Sequence, residues 1–303
     1  MDDPAAGAGG GRHRRAAESA RRPPPPLNGQ EYSRRRPSCP GGTTYIEPGE
    51  GPLGEKTFAD QNVVVTGGGT GIGRAAALAF AEQGAASVLV TGRRPEPLAE
   101  VAAEHPAITA VVADVATEEG AEAIAEAVRE RGRLDVLVHN AGVWAPTPLD
   151  ALDPAEVRRQ FEINVVGPTL LTARLLPLLR SPGGNIVVVS SISARLAGPG
   201  ASVYSATKAA VDSLIRSWAV ELGPKGIRVN GVAPGNVRTS ILAIGGLANT
   251  EIDTFRTTYA DRVPAGRIGE VDDVVPWITR LAEPASSWIT GEIITMDGGR
   301  LAA

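Results

Sequence analysis

Cysteine, histidine and aromatic residues are all scarce in this chain: one cysteine, three histidines, and aromatics at 4%. The lone Cys39 excludes an intramolecular disulfide and any cysteine cluster for zinc. His13, His105 and His139 are scattered without metal-ligand spacing, so no metal is expected. With so few aromatics, Ala, Val, Leu and Ile must build the interior. No uninterrupted apolar run is long enough to span a bilayer, which points to a soluble, cytoplasmic protein with no membrane partner. A net charge of −4 provides no whole-chain basic field for nucleic acid. What is present is 303 residues, 43% of them hydrophobic, with 36 glycines. That is enough for one large α/β domain or two smaller ones.

Residues 1–55 stand apart from the rest. They contain Gly9-Gly10-Gly11, a proline run from Pro23 to Pro26, and the clusters Arg12/Arg14/Arg15 and Arg34/Arg35/Arg36. Without apolar periodicity they are expected to form a disordered Pro/Gly/Arg-rich tail, either a genuine extension or the product of a mis-called translation start. Asp2, Asp3, Glu18 and Glu31 dilute the arginines, and no apolar stretch follows them as an export signal requires. A tail that recruits nucleic acid or a membrane is the rival reading of the same residues.

From near Thr57 the pattern changes. Short β-branched runs at 62–66, 87–91, 109–112, 134–139, 185–190, 227–232 and 292–296 alternate with helical stretches, one of them running from Pro154 to Leu179. This alternation predicts an α/β fold, a single doubly wound parallel-sheet Rossmann-type domain over residues 56–303.

Three local patterns carry chemistry. Thr66-Gly67-Gly68-Gly69-Thr70-Gly71-Ile72-Gly73 lies between the first strand and first helix, where a dinucleotide pyrophosphate meets backbone N–H groups. The second strand ends in Gly92-Arg93-Arg94, with no carboxylate for a ribose 2′-hydroxyl and two guanidiniums suited to a 2′-phosphate. This favours NADP(H), with NAD(H) as the alternative cofactor. Tyr204 and Lys208 are four apart on a predicted helix, so phenol and ammonium share a face. A nearby cation favours the phenolate, and Lys208 is expected to lower the Tyr204 pKa.

In this order, these motifs make residues 57 to 300 resemble the short-chain dehydrogenase/reductase family, including its reductases of 3-oxoacyl thioesters. The cofactor turn of that family is similar to Thr66 through Gly73, so Gly67, Gly69, Thr70, Gly71, Ile72 and Gly73 are implied to bind the dinucleotide. The resemblance extends to an adenine-side Asp114-Val115, to Asn140-Ala141-Gly142 after His139, and to a helix asparagine at Asn164. Ser190 and Ser191 both end the fifth strand; the family's spacing before the tyrosine selects Ser191. Pro234-Gly235, Val237 and Thr239 match the segment that meets the nicotinamide, and Asp297-Gly298-Gly299 the usual ending.

The resemblance implies hydride transfer between a nicotinamide and a carbonyl or alcohol carbon. In that scheme Tyr204 transfers the proton, Lys208 lowers its pKa and holds the ribose, Ser191 orients the substrate oxygen, and Asn164 holds a water for a proton relay. It also implies a small-molecule carbonyl or alcohol substrate and a homodimer or homotetramer packed through the helices bearing Asn164 and Tyr204. A non-catalytic NADP-binding regulator or scaffold is the alternative from another class. Residues 240 to 263 are expected to form the substrate segment, partly apolar and without a fixed charge partner for an acidic substrate. Arg195 and Leu196 are expected beside it.

Overall fold

The computed structural model describes residues 57–196 and 198–303; the tail expected over residues 1–55 lies outside the described residues. Seven strands form its sheet: β1 Asn62–Thr66, β2 Ser87–Gly92, β3 Ile108–Val112, β4 Val136–His139, β5 Asn185–Val189, β6 Arg228–Pro234 and β7 Ile293–Met296. All pair in parallel, in the order β3-β2-β1-β4-β5-β6-β7. Side chains alternate across a strand, so Val63 and Val65 enter one core while Val64 enters the other. Because both faces are covered, the central strands are apolar throughout instead of alternating.

The helices are α1 Gly71–Glu82, α2 Pro95–Glu104, α3 Glu118–Arg129, α4 Pro154–Phe161, α5 Gly167–Leu175, α6 Ser202–Leu222, α7 Ile241–Ile244, α8 Asn249–Ala260 and α9 Val271–Ala282. One core takes Phe80 of α1, Leu98 of α2 and Ile278 of α9; the other takes Ile124 of α3, Leu171 of α5 and Ile215 of α6. The doubly wound parallel sheet expected from the strand–helix alternation is therefore present. Among the described residues no helix is long and apolar enough to cross a membrane.

The long helix expected from Pro154 to Leu179 is interrupted. A π-helical turn, Glu162–Val166, separates α4 from α5, and a 3-10 turn at Leu176–Leu178 ends the run. Pro168 supplies the reason: it has no N–H for the carbonyl of Asn164 four residues back, and its ring crowds that carbonyl. The Gly167 N–H reaches back to the Glu162 carbonyl instead. The widened turn holds Asn164.

Candidate active site

The strand order reverses between β1 and β4, the position where open α/β sheets bind ligands at their carboxyl ends. Thr66, ending β1, accepts the N–H groups of Asn140 and Ala141 on its Oγ1, both at 3.0 Å. In return Asn140 Nδ2 donates to the Thr66 and Gly67 carbonyls at 3.0 and 3.1 Å. Asn140 thus braces the glycine turn. Gly67 has φ +64°, and a Cβ there would lie 2.9 Å from Ala141 Cα. A Cβ on Gly73 would strike the Gly67 carbonyl and Asn140 Nδ2. The N-cap of α1, Thr70, makes no side-chain capping bond, and no acid occupies the first turn. These uncapped N–H groups above a close-packed glycine cradle fit a dinucleotide pyrophosphate.

At the end of β2, a Cβ on Gly92 would meet only the Leu98 methyls, at 3.8 Å or more. Arg93 and Arg94 both line the cleft. Arg93 Nη1 stands 4.0 Å from Asp114 Oδ2 in a solvent-exposed pair, an arrangement that contributes little stability. Asp114 Oδ1 accepts the Ala116 N–H at 3.0 Å. The cap of α3 is Thr117, whose Oγ1 accepts from Gly120 at 3.0 Å, so Asp114 is left to face the cleft.

Further along, Ser191, Tyr204 and Lys208 share the cleft wall. Lys208 is buried; its Nζ donates to the Val189 carbonyl at 2.9 Å and lies 5.7 Å over the Tyr204 ring centroid. Burial pulls its pKa down to about 8, opposed by the charge of Asp212. Burial pushes the Tyr204 phenol up to about 12, opposed by the Ser191 hydroxyl. The phenol, expected below its ordinary pKa, therefore lies above it. The ammonium is bonded to a main-chain carbonyl above the ring, and desolvation of the phenol outweighs the help from Ser191.

Ser191 and Ser190 separate by environment. Ser190 is buried and donates to Asp212 Oδ1 at 2.5 Å, whereas Ser191 is half-buried and accepts only the Ser193 N–H, at 3.1 Å. Asn164 is buried away from the cleft surface. Its Oδ1 accepts the Val143 N–H at 2.8 Å, and its Nδ2 donates to the Val143 carbonyl at 2.9 Å and to Thr207 Oγ1 at 3.1 Å. The side chain thus ties the loop after β4 to α6. His139, also buried, shares a hydrogen bond with Thr172 Oγ1 at 2.8 Å, and burial takes its pKa down to about 3.

The cleft encloses about 790 Å³. The residues expected at the catalytic and cofactor positions line it, except Gly71, Gly73 and Asn164. Leu196 lines it as expected, but Arg195 does not; its Nη2 donates to Thr295 Oγ1 at 2.7 Å. The expectation of no charge partner is also corrected, since Arg262 and Arg300 both line the cleft. Trp144 was missed as well: the turn after α7 packs on it so closely that a Cβ on Gly245 would lie 2.7 Å from its ring. Arg300 directly follows the Asp297-Gly298-Gly299 ending, a signal that was visible in the sequence.

Residues 67–300 match the protein family described as Enoyl-(Acyl carrier protein) reductase. A cis-4-hydroxycyclohexanecarboxylate dehydrogenase of Sinomonas cyclohexanicum is 42% identical over 255 residues, 82% of this chain and 98% of the relative. The 7alpha-hydroxysteroid dehydrogenase of Escherichia coli K12 is 33% identical, over 78% of this chain and 92% of its own. A short-chain dehydrogenase/reductase of unknown function from Caenorhabditis elegans, solved with cofactor, has a TM-score of 0.77 at 33% identity, covering 82% of this chain and 97% of that one. With this cleft at the sheet's switch point, the chain belongs to the short-chain dehydrogenase/reductase family and is an oxidoreductase of alcohol and carbonyl groups that binds a nicotinamide dinucleotide.

Proposed function

We propose that residues 56–303 form one catalytic domain that interconverts a ketone and a secondary alcohol with NADP(H), through Tyr204, Ser191, Lys208 and Asn164. The observation that carries this reading is the convergence of the Ser191 hydroxyl, the Tyr204 phenol and the Lys208 ammonium on one cleft wall. The glycine turn, Asp114-Val115, Asn140-Ala141-Gly142 and the Pro234–Thr239 segment would hold the dinucleotide. The guanidiniums of Arg93 and Arg94 suit a 2′-phosphate. When bound, the nicotinamide supplies the hydride for reduction or accepts it in oxidation.

Tyr204 gives its proton to the substrate oxygen. A pKa near 12 keeps the phenol protonated at neutral pH, which suits reduction. Ser191 donates a hydrogen bond to the same oxygen and stabilises the charge that develops there. Lys208, with a pKa of about 8, is mainly cationic at neutral pH and stabilises the phenolate left behind. Asn164 acts through the backbone: its side chain fixes the loop after β4, and its carbonyl, denied an N–H by Pro168, is the group that holds a water. A cytoplasmic location belongs to this reading, because the reaction draws on the free nicotinamide pool. So does a homo-oligomer, supported by exposed Phe161, Leu170 and Val220 on α4, α5 and α6.

Relatives named for a hydroxycyclohexanecarboxylate and a hydroxysteroid support a ring-borne secondary alcohol as substrate. Trp144, Ile244 and Phe255 supply an apolar wall for such a body. The test is Tyr204→Phe. It should lower turnover of a cyclic ketone at least about a thousandfold while NADPH titration shows binding within about threefold of the parent. Residual reductase activity above a tenth of the parent's removes Tyr204 from the reaction.

A further inference from the structure

Two turns meet at the substrate end of the cleft. The turn after α8 docks on the turn after β7 through the Ala265 N–H, which donates to the Gly298 carbonyl at 3.0 Å. A Cβ on Gly299 would lie 3.1 Å from Pro264, so the two backbones are in close contact. This packing brings Arg262 and Arg300, 38 positions apart in sequence, onto one cleft lining.

Neither guanidinium has an ion-pair partner among the described residues, as is also true of Arg94, whereas Arg93 in the same cleft has a carboxylate within 4.0 Å. Arg300 is half-buried, and its Nε is fully buried with no hydrogen-bond acceptor. Such an orphaned donor is costly unless something supplies an acceptor. Asp297, three residues earlier, forms no ion pair with it; its Oδ1 accepts the Gly299 N–H at 2.9 Å and its Oδ2 the Leu301 N–H at 2.7 Å. Beside Arg300 is Tyr259, whose Oη accepts the Asn236 N–H at 3.3 Å. A Cβ on Gly235 would lie 3.2 Å from that oxygen. The cation thus stands near Tyr259, which bonds the Pro234–Thr239 segment, within the cleft that Tyr204 lines.

We propose that Arg300, with Arg262 at the exposed rim, is the seat for a carboxylate carried by the substrate, so that the chain acts on hydroxy acids and oxo acids. The proposal rests on the ketone–alcohol reading above and gives its substrate an anionic end. A planar guanidinium with free N–H groups matches a carboxylate in a two-point contact, and the apolar wall of Trp144, Ile244 and Phe255 takes the body between the two ends. Phosphate is the other anion such a pair accepts. A 3-oxoacyl coenzyme A would present one, so the test includes it.

The experiment compares 4-oxocyclohexanecarboxylate with its methyl ester, and both with acetoacetyl-coenzyme A, using the full chain and NADPH. The parent should favour the acid over the ester at least about tenfold in kcat/KM. Arg300→Gln should bring that ratio close to one, and Arg300→Lys should restore part of it. Arg262→Gln, at an exposed position, should lower the ratio by a smaller factor and carries the test if Arg300→Gln does not fold. In parallel, calorimetric titration of cyclohexanecarboxylate, which has no carbonyl to reduce, should show binding to the NADP⁺-loaded parent that Arg300→Gln weakens at least about tenfold.

Equal use of acid and ester by the parent overturns the proposal, as does a ratio that Arg300→Gln leaves unchanged. Arginine-dependent preference for acetoacetyl-coenzyme A over the oxo acid assigns the seat to a phosphate and also overturns it. The two readings fail separately. Arginine-dependent binding of cyclohexanecarboxylate without reduction of any ketone supports the carboxylate seat and removes the ketone–alcohol reading. Reduction of acid and ester alike does the reverse.

Discussion

Ser190 donates its hydroxyl to Asp212 Oδ1 at 2.5 Å, and both residues are buried on the wall that carries Lys208. Asp212 lies one helical turn beyond Lys208 on α6, and its charge raises the lysine pKa against the effect of burial. A buried cation without such a neighbour would lose its proton more easily. The ammonium is present below its pKa and lost above it, so reduction should decline as pH rises through about 8. Asp212→Asn keeps an acceptor for Ser190 but removes the charge. The alkaline limb of kcat/KM for ketone reduction should then move down by roughly one pH unit. A limb that stays in place would mean Asp212 only packs.

Cofactor choice is a separate matter. Arg93 pairs only loosely with Asp114, at 4.0 Å, and its guanidinium is half exposed. Arg93→Ala should raise the Kd for NADPH by about ten- to a hundredfold, the worth of a charge-assisted hydrogen bond, and that for NADH by no more than about threefold. Equal losses for the two cofactors would sink the assignment of the 2′-phosphate.

Gly73 offers a steric test of the dinucleotide cradle. Its missing side chain makes room for the Gly67 carbonyl and for Asn140 Nδ2, which together hold the turn. In Gly73→Ala the turn must open, and NADPH binding should fall by about a hundredfold or more. Unchanged affinity would show that the dinucleotide does not use this turn.

The buried His139 sets an acid limit on stability. Its pKa is about 3 in the folded chain against an ordinary value of 6.5. Between those two values the unfolded chain binds a proton that the folded one does not, so stability falls as pH falls through this window. The slope contributed is at most about 1.4 kcal/mol per pH unit. His139→Asn keeps a polar partner for Thr172 but cannot titrate. Its denaturant midpoint should fall less steeply than the parent's from pH 6.5 down; parallel curves would contradict the assignment.

Much of the site was legible because its parts are local. Thr66 to Gly73 act through backbone shape, which glycine spacing specifies within one turn. Tyr204 and Lys208 share a helix face by periodicity alone. Asn164 was legible by position, though the brace its side chain makes was not. The break in its helix follows from Pro168, a local effect that the apolar periodicity of 154–179 concealed. Partners for its amide, Val143 and Thr207, come from a loop and a helix far along the chain.

The pKa order was decided by burial. Sequence places Lys208 one turn from Tyr204, but whether the ammonium reaches the phenol oxygen depends on what else competes for it. In the folded chain that competitor is the Val189 carbonyl of the neighbouring strand. The two arginines of the substrate end show the same division.

By itself the sequence determined the parallel α/β sheet, the glycine turn after β1 and the shared helix face of Tyr204 and Lys208, because strand length, helix period and turn chemistry are properties of neighbouring residues. Only the tertiary structure decided that the Lys208 ammonium bonds the Val189 carbonyl, that the Asn164 side chain braces the loop after β4, and that Arg262 and Arg300 line one cleft. Each of these depends on desolvation or on contact between segments distant in the chain, and neither is encoded in local spacing.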